Sequence, residues 1–105
     1  MESVKVEGDQ LRDYELMVII SPDVADEDIA ATLDKVSQFV TDRGGSITEV
    51  KQWGRRKLSY PIRRFMEGTY VLTQCKMEPK TTAELEASLR LMEEVLRHLL
   101  VRLGD

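Results

Sequence analysis

The sequence predicts an α+β sandwich: a four-stranded antiparallel sheet with two helices packed on one of its faces. Two observations carry this. Four short segments have the β-branched or extended character of strands, and two others switch to an apolar recurrence of three and four residues. Their order is strand, helix, strand, strand, helix, strand, which is a pair of split βαβ units, the ferredoxin-like arrangement. Right-handed crossovers then place the first and third strands in the centre and the second and fourth at the edges.

Residues 1–12 are polar, lack periodicity and read as a flexible N-terminal leader. Residues 13–105 are expected to form one domain, as a length of 105 suggests. The first strand is YELMVII, Tyr14 to Ile20, closed by Ser21-Pro22-Asp23. Leu16, Val18 and Ile20 share one face. Met17 and Ile19 share the other with Glu15, so this strand is expected to be central and partly buried on both sides. From about Ala25, the residues Ile29, Leu33, Val36, Phe39 and Val40 form the stripe of an amphipathic helix. Asp26, Glu27 and Asp28 crowd its first turn, where the helix dipole favours negative charge. Arg43 falls in its last turn, and Gly44-Gly45 supplies a left-handed stop.

Ile47 to Ser59 reads as a second strand, ended by Pro61, which cannot donate to a ladder. IRRFMEG is then a loop, and Gly68 to Met77 a third strand whose faces are both mixed. Pro79-Lys80-Thr81 opens a second helix. Thr81 and Glu84 have capping-box spacing, and Leu85, Leu89 and Met92 form the apolar stripe. VLRHLLVRL, Val95 to Leu103, is the closing strand.

No catalytic constellation emerges. His98 is the only histidine and lies on a strand, where a packed or surface role is the ordinary one. Cys75 is the only cysteine, which excludes an internal disulfide, multi-cysteine metal sites and iron–sulfur ligation. The acidic triplet of the first helix points in diverging directions and does not converge on a cation. Phosphate loops, nucleophile elbows and dinucleotide fingerprints are absent from the sequence. No enzyme activity, cofactor, metal or small-molecule substrate is expected. No apolar run is long enough for a membrane helix, and the acidic N-terminal residues suit neither a signal nor a transit peptide, so a cytosolic location without membrane contact is expected.

One stretch stands apart. KQWGRRKLSYPIRR, residues 51–64, holds Lys51, Arg55, Arg56, Lys57, Arg63 and Arg64 and no acid. Its six positive charges, taken from a chain total of −4, leave −10 elsewhere. Basic residues on an exposed edge guard against aggregation, but that explains only one or two of them. Six point to a polyanion: Lys and Arg neutralise phosphates, while Trp53 or Tyr60 can stack on a base. Simple alternation puts Lys51, Trp53, Arg55 and Lys57 on one side and Gly54, Arg56, Leu58 and Tyr60 on the other. On that pattern Leu58, Tyr60, Pro61 and Trp53 shape and anchor an edge hairpin, and Gly54 leaves room for a bulge.

WGRRKLSYPI resembles the signature of the bacterial small-subunit ribosomal protein six family. The likeness extends from about Asp13 to Leu103, through Tyr14-Glu15, Ser21-Pro22-Asp23, Gly44-Gly45 and VLRHLLVRL. The resemblance implies the same fold, a place in the small ribosomal subunit on the central domain of its rRNA, and small-subunit ribosomal protein eighteen as a basic partner. It assigns rRNA contact to Arg55, Arg56 and Lys57, and a structural role to Tyr60-Pro61. Contact through Lys51, Arg63 and Arg64 extends that assignment along the stretch. The leader is longer than the family's usual start, and the charged tail frequent at the family's C-terminus does not follow Asp105. The acidity outside the arm suits a basic protein partner better than bare RNA.

Three rivals share the fold. An RNA-recognition motif needs aromatics on both central strands, where only Tyr14 and Tyr70 stand. An acylphosphatase-type enzyme needs a glycine-rich, Arg-bearing loop after the first strand, and Ser21-Pro22-Asp23 is not one. A regulatory module that self-associates through its sheet is the remaining alternative.

Overall fold

A computed structural model describes residues 10–104. The elements run β1 (Arg12–Ile20), α1 (Asp26–Asp42), β2 (Ser46–Ile62), β3 (Phe65–Met77), α2 (Pro79–Leu91) and β4 (Val95–Arg102). The sheet order is β2-β3-β1-β4, antiparallel throughout, with β1 and β3 central as the topology requires. The expected leader falls largely on residues 1–9, which lie outside the described residues.

Alternation decides which face is buried. Tyr14, Leu16, Val18 and Ile20 of β1 point to the helices, with Val71, Cys75 and Met77 of β3 beside them. Ile29, Val36 and Val40 of α1 and Leu85 and Leu89 of α2 close the core from above, and Leu33, Phe39 and Met92 pack at its margin. Full burial of each such aliphatic side chain stabilises the fold by about 1.5–3 kcal/mol. The opposite face of the sheet has no helix. There a smaller cluster of Ile19, Leu58 and Leu96, with Ile62, Phe65 and Tyr70 against it, lies under the β2–β3 hairpin. The first strand is therefore central and partly buried on both sides, as its sequence suggested.

α1 ends in a Schellman motif. The Gly45 N–H donates to Val40 O at 2.9 Å and the Gly44 N–H to Thr41 O at 3.1 Å. Gly44 takes the left-handed conformation at φ +85°, with Arg43 as the C-cap rather than in the last turn. Gly45 has a different reason to be glycine: an added Cβ would sit 2.4 Å from the Lys76 carbonyl oxygen.

The structure corrects three expectations. Pro61 does not end β2, which continues to Ile62. The register slips between the pairs Lys57↔Glu67 and Ile62↔Phe65, and β2 is an edge strand, so Pro61 withholds no required ladder bond. IRRFMEG is not a loop: the chain reverses at Arg63-Arg64, with Arg63 at φ 59°, and β3 starts at Phe65. The Thr81–Glu84 capping box is not formed. Glu78 is the N-cap and makes no side-chain cap bond, while Thr81 lies inside the helix at 1% exposure.

Candidate nucleic-acid interface

β2 and β3 are long enough to leave the sheet. Pairing of β1 with β3 stops at Ile20↔Thr69, whereas β2 and β3 remain paired to Ile62↔Phe65. Residues 56–68 therefore form a two-stranded arm beyond the end of β1. Gly68 lets β3 pack tightly against the end of β1 where the arm begins, since a Cβ there would meet Ile19 Cγ2 at 2.6 Å.

A bulge re-aims the charges. Lys51 pairs with Leu72 and Gln52 with Val71, but Gly54 pairs with Tyr70, so Trp53 is the extra residue. Gly54 sits at φ +85°, which makes glycine the favoured residue there. Simple alternation consequently fails at Trp53. Lys51 shares the helix-free face with Leu72, while Arg55 and Lys57 register with Thr69 and Glu67 on the other side. Arg56 registers with Gly68 on the helix-free face. Its guanidinium lies over the Trp53 ring, 5.1 Å from the centroid.

The aromatics anchor less than expected. Trp53 remains 43% exposed and Tyr60 54% exposed; of the side chains read as anchors, Leu58 is the buried one, at 7%. Trp53 therefore does not cover the sheet. Tyr60 is held from outside: Arg97 of β4 donates to its hydroxyl, and the same guanidinium lies 5.9 Å from its ring centroid.

The six cations divide by their partners. Lys51, Arg55 and Arg64 have carboxylates at 3.8, 3.7 and 3.9 Å, from Glu49, Glu67 and Asp23. The window 51–64 contains none of these acids: Glu49 precedes it on β2 itself, Glu67 comes through strand pairing, and Asp23 through the β1–α1 loop. Such long, solvent-exposed pairs stabilise little, about 0–1 kcal/mol each. Arg55 Nη2 also donates to Pro22 O at 2.9 Å. Arg63 turns back to the start of β4, where Nη1 donates to Glu93 O at 2.9 Å and Nη2 to Val95 O at 3.4 Å. Arg56 makes only its contact with Trp53, and Lys57 has no hydrogen-bond or ionic partner among the described residues.

Two further arginines belong to this region, Arg90 at the end of α2 and Arg97 on β4. Both lie on other elements, far from the basic stretch in sequence, and no local pattern points to them. Elsewhere, Cys75 is buried, and desolvation first, with the Asp13 charge second, pushes its thiol up to about 11. His98 Nε2 and Glu86 Oε2 are 3.1 Å apart. Among the described residues no group of His, Cys, Asp and Glu could hold a metal ion, and no helix is long and apolar enough to cross a membrane.

Residues 13–102, from the first strand to the last and including the whole arm, match the family model for ribosomal protein S6. The chain belongs to the ribosomal protein S6 family. Small ribosomal subunit protein bS6 of Dehalococcoides mccartyi is 39% identical over 104 residues, covering 99% of this chain and 95% of the relative. That of Moorella thermoacetica is 40% identical over 95 residues, covering 90% and 97%. The crystal structure of 30S ribosomal protein S6 from Thermotoga maritima superposes with a TM-score of 0.82 at 32% identity, over 89% of this chain and 88% of that one. Family membership makes this chain a structural protein of the small ribosomal subunit, and it agrees with the fold and with the resemblance read from WGRRKLSYPI.

Proposed function

We propose that this protein binds the central domain of small-subunit rRNA together with small-subunit ribosomal protein eighteen, as a non-catalytic constituent of the cytoplasmic ribosome that supports translation. The observation that carries the reading is the projecting arm, on which Arg56 and Lys57 have no carboxylate partner among the described residues although the chain as a whole is acidic. Two adjacent cations without an ion pair, on the part of the hairpin that runs past the end of β1, are suited to phosphates, whose counterions are released on association. The Arg56–Trp53 stack adds a planar, half-exposed platform of the kind on which an unpaired base stacks. Arg55 and Arg64 contribute charge to the same field, and Lys51 lies across the bulge from them. Arg63 acts first as a tether.

The protein partner belongs on the helix-free face. Met17 and Tyr70 border a groove there, beside Leu99 at 61% exposure. Val101 follows two residues on, at 43%. Exposed aliphatics on an open sheet face are a protein-docking feature, and the acidic remainder of the chain favours a basic partner. The same face would also serve self-association, the rival module reading.

The test is binding to a central-domain rRNA fragment, with and without the partner protein, as a function of salt. Arg56→Gln with Lys57→Gln should weaken binding and lower the salt slope by roughly 1.5. Tight, salt-insensitive binding that this double variant leaves unchanged would refute the arm. Concentration-dependent dimerisation with no RNA affinity in either mixture would favour the rival.

A further inference from the structure

A second basic site lies beside the arm. The turn at Arg63, the end of α2 and the start of β4 enclose a notch of about 280 Å³ lined by Arg63, Arg90, Arg97 and His98 over a floor of Leu89, Val95 and Leu96. A water takes about 30 Å³, so a phosphate group and some water fit. In an acidic chain one expects clustered arginines to collect carboxylates, yet among the described residues none lies within ion-pairing distance of these three. Arg63 grips two neutral carbonyls and Arg97 a neutral hydroxyl, so both keep their full charge. Arg90 is exposed and has no partner among the described residues. A guanidinium has five N–H donors, so the three retain most of theirs for a ligand. Glu86, one turn before Arg90, is turned toward His98 at 3.1 Å. The C-terminal end of α2 adds roughly half a negative charge, well short of three guanidinia.

We propose that this notch is a second phosphate seat, which takes a phosphodiester of the RNA strand that crosses the arm. The inference rests on the RNA reading given above and extends it to residues on α2 and β4. Arg90 is the residue to test, because it is exposed and holds no other element in place. In the rRNA-fragment assay, run with the partner protein, Arg90→Gln should weaken binding about five- to eightfold at 0.1 M salt and lower the salt slope by about 0.7–0.9, the loss of one phosphate contact. Arg90→Lys should restore the slope, since a phosphate contact needs charge rather than a fork. Arg97→Gln should behave like Arg90→Gln, with an added loss from freeing Tyr60. Titration with inorganic phosphate, followed by amide shifts around the notch, separates a free-anion site from an RNA seat. Phosphate binding in the notch without any effect of Arg90→Gln on RNA binding overturns the proposal. So does an unchanged salt slope in Arg90→Gln when the Arg56→Gln, Lys57→Gln variant loses its share; in that case the arm reading stands alone. If neither variant changes RNA binding, both readings fall.

Discussion

The tether at Arg63 gives the sharpest test of how the arm is held. Its side chain makes one good hydrogen bond at 2.9 Å to Glu93 O and a weak one at 3.4 Å to Val95 O. A bond from a charged donor contributes about 1.5–3 kcal/mol when well formed. The site is largely exposed and water can replace the lost donor, so about 1–2 kcal/mol is the expected cost of Arg63→Ala. The backbone contributes separately. At φ 59° a residue with a Cβ is strained by about 1–2 kcal/mol, which glycine relieves. Arg63→Gly therefore loses the same bonds but recovers most of that cost, less its own unfolded-state entropy. The expectation is that Ala destabilises by about 1–2 kcal/mol and Gly by less, with Ala below Gly by up to about 1 kcal/mol. Urea unfolding with an unchanged m-value measures both. Hydrogen exchange at residues 57–67 locates the effect, which should appear as faster local opening of the arm in Arg63→Ala. Equal stability of Ala, Gly and the parent chain would refute both the tether and the strain. Loss in Ala and Gly alike, without a difference between them, would refute the strain alone.

Four further outcomes are expected. Gly68→Ala should destabilise by about 1–3 kcal/mol in urea unfolding, because its Cβ would press on Ile19 Cγ2 at 2.6 Å and Ile20 O at 3.2 Å; Gly54→Ala, with open space but φ +85°, should cost about 1–2 kcal/mol, from backbone strain alone. Cys75, with its thiol pushed up to about 11, should alkylate at pH 8 far more slowly than a model thiol and accelerate with urea, whereas fast labelling of the folded chain would contradict its burial. Glu94 is held below its usual 4.5 by its own backbone N–H first; burial opposes this, and Lys35 and Thr32 add to the lowering. A carboxyl lowered in the folded state contributes stability that is present above about 4.5 and lost as pH falls through the folded value. Glu94→Gln should therefore flatten the acid limb of the stability–pH curve, and an unchanged limb counts against this account.

The fold was legible because its signals are local and mutually consistent. Leu16, Val18 and Ile20 alternate, Ile29, Val36 and Val40 recur at helical spacing, and both point into the same core. Arg55, Arg56 and Lys57 were legible as an anomaly of charge. What was missed depends on distance in the chain. Pro61 reads locally as a stop, and only the slipped register of an edge hairpin shows why β2 tolerates it. Thr81 reads as a cap because Glu84 follows it at the right spacing, yet Pro79 starts the helix two residues earlier and buries Thr81. Trp53 reads as a packing residue because strands favour aromatics, but the bulge at Gly54 leaves it without a partner in the ladder. Glu67 and Asp23 approach the arm only through pairing and loop geometry, whereas Glu49 is simply two residues before Lys51 on the same strand.

The partners of the arm's arginines bear on why the charge sits where it does. An edge hairpin that projects from a sheet is entropically costly to fix, and a two-stranded ribbon alone is marginal. The arm is braced by Leu58 from beneath and by three arginine contacts at its sides: Arg55 to Pro22 O, Arg63 to Glu93 O and Val95 O, and Arg97 to the Tyr60 hydroxyl. Every acceptor in that set is neutral. Carboxylates in the same places would have braced the arm equally well, and the chain has them to spare, but each would have cancelled a positive charge. Bracing through carbonyls and a phenol fixes the arm without cancelling the charge of Arg63 or Arg97, whereas Arg55 also has Glu67 at 3.7 Å. A purely protective edge gains nothing from that distinction. On the RNA-binding reading proposed above, a surface that receives phosphates depends on it.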